Sequence, residues 1–217
     1  MVKWEQDNAR KQREEMVKSQ IISRGVRDER VLEAMRTVPR ERFVREDDRQ
    51  LAFFDGPLSI GCGQTISQPY IVAYMTEMLH LKENDRVLEI GTGCGYQTAV
   101  IAEIAREVYT IEIVERLARC AHEALDGLGY TNVQFRTGDG NEGWPEKSPF
   151  DAIIITAAPE RVPKTLISQL ADGGRLIAPV GGYMQYLVRL TRNGEEIDRE
   201  TLIGVRFVPM MGFPRDD

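Results

Sequence analysis

The chain has 217 residues, which is enough for one domain with a full hydrophobic core. Its 42% hydrophobic and 29% charged residues are ordinary for a soluble globular protein. The net charge of −6 argues against a general binder of nucleic-acid phosphates.

The N-terminal segment is predicted to be helical. Residues 1–16 carry too many charges for a signal peptide, and no apolar run in the sequence reaches membrane-spanning length. Residues 5–24 are expected to form a charged helix that Gly25 ends. Asp28 is placed to cap a second helix, which Pro39 ends. We therefore expect a cytoplasmic protein with no membrane segment.

The cysteines and histidines do not indicate a metal site. Cys62, Cys94 and Cys120 are odd in number and form no C-x-x-C pair. With only His80 and His122 available, no metal-ligand cluster of familiar spacing can be assembled. We therefore predict reduced thiols and no bound metal.

The next stretch is predicted to pass from irregular chain into a third helix. Residues 43–64 contain turn-forming Asp, Gly and Pro residues and read as irregular. Ser67 directly precedes a helical stretch that has Pro69 in its first turn, where the missing N–H costs nothing. The local sequence alone therefore favours Ser67 as a helix N-cap, which stabilises a helix by about 1 kcal/mol.

Residues 86–100, RVLEIGTGCGYQTAV, predict a strand, a glycine turn and a helix. The turn follows the acidic residue Glu89. It contains three glycines at alternate positions: Gly91, Gly93 and Gly95. A dinucleotide fingerprint would require a further glycine at the position of Tyr96. The pattern is instead common in methyltransferases that use S-adenosyl-L-methionine (AdoMet), although glycine-rich turns also end ordinary strands.

The second strand of this region supplies a candidate cofactor ligand. Residues 107–113, EVYTIEI, are rich in β-branched and aromatic side chains. Glu112 lies near the end of this run, about 20 positions after Gly91. A carboxylate there can accept hydrogen bonds from both ribose hydroxyls of a nucleotide, whereas the alternative is a solvated glutamate at a strand end. Paired with the glycine turn, Glu112 favours the cofactor interpretation.

A further candidate is Asp139, which lies in a Gly-Asp-Gly turn after a predicted strand at 133–136. Its carboxylate could accept the adenine amino group while Ile113 packs on the ring, and simple turn chemistry is the alternative. Methyltransferases that act on exocyclic base nitrogens resemble one another in having, at this position, an Asn or Asp followed by Pro-Pro and an aromatic residue. The segment 155–159, ITAAP, has neither the acceptor side chain nor the aromatic residue. Nucleobase N-methylation is therefore disfavoured.

The rest of the chain alternates helices and strands, and it ends in a hairpin. Helices are predicted at 117–128 and 163–170, the latter ended by Gly173 and Gly174. Strands are predicted at 133–136, 151–156, 175–180, 185–192 and 201–208, with a turn at Asn193-Gly194. This order predicts an α/β fold with a doubly wound, mostly parallel sheet of AdoMet-methyltransferase type, an antiparallel C-terminal edge and an N-terminal helical cap.

We expect a single domain over residues 1–217. Residues 1–80 would form the helical cap and the substrate loop, and residues 81–217 the cofactor-binding core. The first 80 residues look like a helical cap packed on the core, so the chain is not divided into separate domains.

Taken in order, these segments resemble the protein-L-isoaspartate O-methyltransferase family over nearly the whole chain. The most specific piece is GQTISQP at 63–69, which precedes the cofactor core and is not a general methyltransferase feature. The supporting segments are LEIGTGCGY at 88–96, YTIE at 109–112, GDG at 138–140, PFDAIIITAA at 149–158, LADGGRLIAPVG at 170–181 and FVPM at 207–210. One departure is Cys94, which stands where a serine or another small residue is frequent.

The resemblance implies methyl transfer from AdoMet to the α-carboxylate of L-isoaspartyl residues in damaged proteins and peptides. The methyl ester then collapses to a succinimide without the enzyme. The resemblance places Ser67 at the reacting carboxylate as the catalytic positioning group, with Gln64 and Thr65 beside it. The cofactor residues would be Glu89, Gly91, Gly93, Gly95, Glu112, Ile113, Asp139 and Gly140. The partner is an isoaspartyl-containing protein or peptide, without nucleic acid or membrane, and the chain is expected to be a monomer.

Such a reaction needs few catalytic groups. A carboxylic acid of this kind has a pKa of about 3.3–3.9 and is already an anion near neutral pH, so no general base is needed. The charges of the attacking oxygen and the sulfonium cancel as the bond forms. A site that excludes water and aligns the reacting atoms therefore supplies most of the acceleration. We expect the N-terminal cap and the loop around Thr65 to provide this cover.

Three alternatives stay open. A methyltransferase with a small-molecule acceptor shares the core but leaves the segment 63–69 unexplained. An NAD-dependent oxidoreductase is opposed by Tyr96 and by the C-terminal hairpin. A non-catalytic AdoMet-binding module is compatible with the sequence, although nothing favours it.

Overall fold

The computed structural model describes residues 3–212, with side chains described from residue 8 onward. The outermost residues of the predicted 1–217 domain lie outside this range. The described α-helices are α1 (Lys3–Met16), α2 (Glu29–Thr37), α3 (Pro69–Met78), α4 (Tyr96–Ala102), α5 (Glu115–Asp126) and α6 (Lys164–Ser168). The described strands are β1 (Leu58–Gly61), β2 (Gln64–Ile66), β3 (Arg86–Ile90), β4 (Glu107–Glu112), β5 (Val133–Thr137), β6 (Phe150–Ile155), β7 (Leu170–Val180), β8 (Gln185–Asn193) and β9 (Glu196–Val205).

Seven of these strands form one sheet, in the order β5-β4-β3-β6-β7-β8-β9. The five strands from β5 to β7 in this order pair in parallel, and β8 and β9 extend the edge in antiparallel fashion. The predicted fold class is confirmed. From β3 the chain winds outward to β5 and then returns to β6 on the other side of β3. This reversal opens a crevice at the carboxyl ends of β3 and β6, where ligands bind in such sheets.

Both faces of the central sheet are buried, because its strands carry apolar residues at consecutive positions. In β6, Ala152 and Ile154 belong to the core on one face, and Ile153 and Ile155 belong to the core on the other. All four side chains are fully buried. This is the pattern expected of a central parallel strand covered by helices on both sides.

The N-terminal helices pack on one face of the sheet in a core that is continuous with it. Val17 and Met35 belong to the same apolar cluster as Val87 of β3. The predicted second helix begins as expected, because the Asp28 carboxylate accepts the main-chain N–H of Arg30 at 2.9 Å. In the described part of the chain, no helix combines the length and the apolar character that crossing a bilayer requires.

The helix predicted over residues 5–24 is divided into turns of three types. After α1, Val17–Ile21 forms a π-helical turn and Ile22–Arg24 forms a 3₁₀ turn. Gly25 then ends the run in the left-handed region at φ 98°, as predicted. Val17 and Ile21 are fully buried, so tertiary packing rather than helix propensity sets the hydrogen bonding here.

Two further stretches differ from the prediction. The region predicted as irregular at 43–64 runs into the hairpin β1–β2, whose tip residue Cys62 has a φ of 52°. Gly173 and Gly174 do not end a helix, because they lie inside β7. There the φ of 73° at Gly173 accompanies a bulge against β6. The two hairpin strands have only four and three residues, too few alternating positions for the sequence pattern to reveal them.

The last strand ends earlier than predicted. β9 stops at Val205, whereas the sequence pattern continues to residue 208. The following chain pairs instead with the loop after β6. Ala158 donates its N–H to the carbonyl oxygen of Val208 at 2.8 Å, and Met210 donates its N–H to the carbonyl oxygen of Ala158 at 2.9 Å. These bonds bring residues 208–211 to the edge of the sheet where the crevice opens.

Candidate active site

The carboxyl ends of β3, β4 and β6 open on a common cleft, which the hairpin β1–β2 and the chain after β9 also line. Seven of the predicted site residues lie in its wall: Gln64, Thr65, Gly91, Gly93, Glu112, Ile113 and Gly140. Ser67 lies in an adjoining groove, which shares Thr65 and Thr156 with the cleft. The cofactor and substrate candidates therefore meet at these two threonines.

Gly91 is required where β3 turns into the cleft. Its φ is 95°, and a Cβ atom at this position would collide with the hydroxyl of Thr156. That hydroxyl donates to the carbonyl oxygens of Ile90 and Gly91, which lie 3.0 Å and 2.5 Å away. The neighbouring strand thus fixes the loop, and main chain without a side chain faces the cleft.

Glu112 ties the end of β4 to the glycine loop. It is only 6% exposed, yet its carboxylate lines the cleft. One carboxylate oxygen accepts the main-chain N–H of Gly93 at 2.8 Å, and the other accepts the main-chain N–H of Val114 at 2.9 Å. An ionised carboxylate has about four acceptor positions, so these two bonds leave room for ligand hydroxyl groups.

The loop after β5 supplies another wall of the cleft. Gly140 belongs to this wall, and a Cβ atom there would collide with Ile90. Asp139 lies behind it and caps the 3₁₀ turn Gly140–Glu142. One of its oxygens accepts N–H groups from the main chain and the side chain of Asn141, both at 2.8 Å. Asp139 therefore stabilises this turn, as the alternative interpretation of its sequence predicts.

Glu89 and Gly95 lie beneath the cleft rather than in its wall. Glu89 is fully buried, and its Oε2 atom accepts the hydroxyl groups of Thr98 at 2.5 Å and Thr110 at 2.7 Å. Its Oε1 atom has no hydrogen-bond partner among the described residues. Gly95 packs against Leu125 of α5. Both residues support the glycine loop from behind.

Burial raises the pKa of the Glu89 carboxyl group to about 8. The two threonine hydroxyls favour the ionised form, but they offset only part of the lost solvation, and the nearby charge of Glu112 acts in the same direction as burial. Most molecules therefore carry a protonated Glu89 at neutral pH. In this geometry the predicted cofactor ligand is a neutral support for the loop.

Ser67 is not the N-cap of α3, so the interpretation from local sequence was wrong. The N-cap is Gln68, whose side chain makes no capping bond, and Pro69 begins the helix. A residue that precedes proline is disfavoured in the α region, so the helix cannot start one residue earlier and take Ser67 as its cap. The half-buried Ser67 instead lines the groove beside the cleft.

Two contributors to the cleft escaped the sequence analysis. Thr156 lies at the end of the apolar run of β6, where its hydroxyl group gave no separate signal. Residues 208–211 also line the cleft, and Met211 among them is 44% exposed. Their position depends on the pairing of Ala158 with Pro209, a long-range contact that no local pattern indicates.

Neither histidine lines the cleft. His80 lies 3.0 Å from the guanidinium of Arg189, and His122 pairs with Asp126 on α5. Among the side chains of residues 8–212, no group of three or more His, Cys, Asp or Glu residues is arranged to hold a metal ion. The polar side chains that line the cleft belong to Gln64, Thr65, Thr156 and Glu112.

Comparison with known proteins gives one consistent family. Residues 11–213 match the model of the protein-L-isoaspartate(D-aspartate) O-methyltransferase (PCMT) family. A protein-L-isoaspartate O-methyltransferase of Picosynechococcus sp. is 55% identical over 200 residues, which cover 92% of this chain and 90% of that protein. One of Opitutus terrae is 57% identical over 200 residues, covering 91% and 86% of the two chains.

Solved structures agree with these sequence relatives. A protein-L-isoaspartate O-methyltransferase structure superimposes with a TM-score of 0.84 at 30% identity, covering 94% of this chain and 66% of that chain. A Plasmodium falciparum structure, described as a putative member in complex with S-adenosyl-L-homocysteine, gives a TM-score of 0.81 at 26% identity. It covers 92% of this chain and 98% of the other.

Replacing Glu89 by Gln should flatten the pH dependence of stability. Folding raises the pKa of this carboxyl group from its ordinary 4.5 to about 8. The contribution of Glu89 to stability is therefore full below pH 4.5 and is lost as the pH rises toward about 8. Urea unfolding of the wild type and Glu89→Gln, measured near both ends of this interval, should show the larger fall in unfolding free energy for the wild type.

The exposed carboxylate of Glu115, at the start of α5, provides the control. Glu115→Gln should leave the difference between the two ends of the interval as it is in the wild type. Parallel pH profiles for the wild type and Glu89→Gln would contradict the protonated state assigned to Glu89.

Proposed function

Because this chain belongs to the protein-L-isoaspartate(D-aspartate) O-methyltransferase family, we propose that its cleft joins an AdoMet site to a groove for an isoaspartyl peptide. The chain is an AdoMet-dependent methyltransferase of protein repair. It methylates the α-carboxylate of L-isoaspartyl residues, and the ester collapses to a succinimide. The family match over residues 11–213 carries this conclusion, because that range contains every residue of the cleft.

The residues of the cleft fit AdoMet, which supplies an electrophilic methyl group on a sulfonium. Glu112 would accept the ribose hydroxyls, since its two main-chain bonds use only part of its acceptor capacity. Gly91 and Gly93 would allow the ligand to approach the main chain, because no side chain intervenes there. Ile113 would pack on the adenine ring from the end of β4.

The loop after β5 contains two more of the predicted cofactor residues. Gly140 lies in the cleft wall, where a Cβ atom would collide with Ile90, and Asp139 holds the turn in which Gly140 lies. The Asp139 carboxylate, at the end of β5 where ligands bind in such sheets, would also accept the adenine amino group. Glu89 and Gly95 would support the loop without contacting the ligand.

The substrate groove would hold the isoaspartyl carboxylate at Ser67. A carboxylic acid of this kind has a pKa of about 3.3–3.9, so it arrives as an anion that is already nucleophilic. The Ser67 hydroxyl would donate a hydrogen bond to one carboxylate oxygen and leave the other free to attack. Gln64 and Thr65 would flank it from the hairpin. No residue has to remove a proton, in keeping with the absence of both histidines from the cleft.

The cover that excludes water would be the hairpin β1–β2 together with residues 208–211. Both segments contribute to the cleft wall, and Ile60 of the hairpin lies against Gly93. Among the residues from position 8 onward, helices α1 and α2 contribute none to that wall. The helical part of the cap would therefore support the site, and its hairpin would close it. Alignment of the reacting groups under such a cover lowers a barrier by roughly 7–11 kcal/mol.

The chain would act as a cytoplasmic monomer formed by one domain, with residues 1–80 as cap and substrate loop and residues 81–217 as cofactor core. The continuous apolar cluster between the cap and the sheet supports the single domain. The unpaired thiols of Cys62, Cys94 and Cys120 suit a reducing compartment. The net charge of −6 supports a protein or peptide substrate rather than a nucleic acid.

Two synthetic peptides that differ only in carrying L-isoaspartate or L-aspartate at one position test the function. We expect base-labile methyl label from AdoMet on the isoaspartyl peptide alone. Label on neither peptide, with AdoMet binding shown by calorimetry, would contradict the proposed substrate and favour a small-molecule acceptor.

Glu112→Gln should weaken AdoMet binding about tenfold or more. A hydrogen bond to a charged group contributes about 1.5–3 kcal/mol, and the amide has one acceptor oxygen instead of two. Titration calorimetry measures the change, and Glu115→Gln at the adjoining exposed position is the control. Wild-type affinity in Glu112→Gln would exclude Glu112 as the ribose ligand.

Ser67→Ala should lower turnover of the isoaspartyl peptide about tenfold to a hundredfold while AdoMet binding stays intact. The expected loss corresponds to one hydrogen bond to a carboxylate. Ser59→Ala in the neighbouring hairpin strand, where the side chain is exposed, should keep wild-type turnover. Unchanged turnover in Ser67→Ala would leave Ser67 with a structural role only.

A further inference from the structure

Arg40 carries a buried positive charge that has no carboxylate partner among the described side chains. It is fully buried at the start of the short 3₁₀ turn Arg40–Arg42. Its Nε atom donates to the carbonyl oxygen of Ala52 at 2.7 Å, and its Nη2 atom donates to the carbonyl oxygen of Ser67 at 2.8 Å. Its Nη1 atom has no hydrogen-bond partner within the described residues. The guanidinium also lies over the ring of Tyr96, 4.7 Å from the centroid.

Burial of an unpaired charge is costly, so its contacts indicate what it stabilises. The guanidinium joins three parts of the molecule: the loop at Ala52, the peptide group of Ser67 and the start of α4 at Tyr96. Tyr96 directly follows the glycine loop of the cofactor cleft. A single side chain therefore connects the substrate groove to the helix that follows the cofactor loop.

A second contact holds the same peptide segment from the same loop. The side-chain amide of Gln68 donates to the carboxylate of Asp55 at 2.8 Å, and Asp55 also forms an ion pair with Arg24. Residues 52–55 thus hold Ser67 and Gln68 at two points. Ser67 is not the N-cap of α3, and these contacts hold its main chain and the side chain of the next residue.

We propose that Arg40 is a positioning residue for the methyl transfer: through the main-chain carbonyl of Ser67 it fixes the Ser67 hydroxyl where the isoaspartyl carboxylate binds. This inference rests on the proposed function and names a residue for it. The fork of the guanidinium satisfies two carbonyl oxygens and stacks on Tyr96 at once, which the single ammonium of lysine does not reproduce.

The indirect contact also suits the reaction. A guanidinium in direct contact with the substrate carboxylate would stabilise the anion more than the transition state, in which that charge is being neutralised. At Arg40 the positive charge is separated from the groove by the Ser67 peptide group. It can favour the arrival of an anionic substrate without reducing the nucleophilicity of the attacking oxygen through a direct ion pair.

A double-mutant cycle tests the proposal. Arg40→Lys should lower kcat/KM for the isoaspartyl peptide about tenfold, with an unchanged Kd for AdoMet and a cooperative thermal unfolding transition. In the Ser67→Ala background, Arg40→Lys should have little further effect, because Arg40 acts through the placement of that hydroxyl. Equal losses in both backgrounds would overturn the proposal, since a general effect on the fold is additive.

Arg13 offers the matched control. It is also buried in the cap, and it donates to the carbonyl oxygen of Thr37 at 3.2 Å. Arg13→Lys should keep the wild-type kcat/KM. A loss in Arg13→Lys equal to that in Arg40→Lys would overturn the specific role of Arg40.

Arg40→Gln, which removes the charge that lysine retains, is the second variant if Arg40→Lys does not fold. The same loss of kcat/KM is expected in Arg40→Gln. Wild-type kcat/KM in any folded Arg40 variant would overturn the role of Arg40 and leave the proposed function standing. A wild-type enzyme that methylates neither peptide would instead overturn the proposed function, and the role of Arg40 with it.

Discussion

The hydrogen bond from the Gly93 amide to the Glu112 carboxylate is the contact on which the cleft depends. The regular pairing of β3 with β4 ends at Ile90 and Ile111, and the Gly91 N–H then donates to the carbonyl oxygen of Ile111 at 2.8 Å. Further along, the Glu112 carboxylate joins the two chains by accepting the N–H of Gly93, and its second oxygen accepts the N–H of Val114. Glutamine would offer one acceptor oxygen where two donors converge, so a carboxylate is required for the structure as well as for the proposed ribose contact.

Two buried ionisable residues support this arrangement from opposite sides. Glu89 lies beneath the glycine loop, and burial raises its pKa so that it is neutral near pH 7. Arg40 lies beside Tyr96, and burial lowers the pKa of its guanidinium, although arginine remains protonated in proteins. Each has one polar atom that finds no hydrogen-bond partner in the part of the chain that the structure describes. Such atoms cost free energy of folding, and here both belong to groups that fix loops of the site.

Much of this molecule could be predicted from its sequence. The parallel sheet followed from apolar strands such as the predicted strand 151–156, in which residues 152–155 are buried on both faces. Gly91 and Glu112 were predicted because strand ends carry ligands in such sheets, and both line the cleft. Three features were missed, the first of them although Pro69 contains its signal. Ser67 lost its capping role to the restriction before Pro69, Thr156 was hidden in an apolar run, and residues 208–211 reach the cleft through a long-range contact with Ala158.

The polar groups of the site follow from the charges of the reaction. An anion and a sulfonium neutralise each other as the methyl group moves, so a fixed charge in contact with either would favour the separated reactants over the transition state. The groove accordingly presents the hydroxyls of Ser67, Thr65 and Thr156, while the negative charge of Glu112 is engaged by main-chain amides. The positive charge of Arg40 is held one peptide group away. A reaction of this kind depends on holding the reacting groups in position, with fixed charges near the site but not on the reacting atoms. The buried residues Glu89 and Arg40 hold the loops that do this.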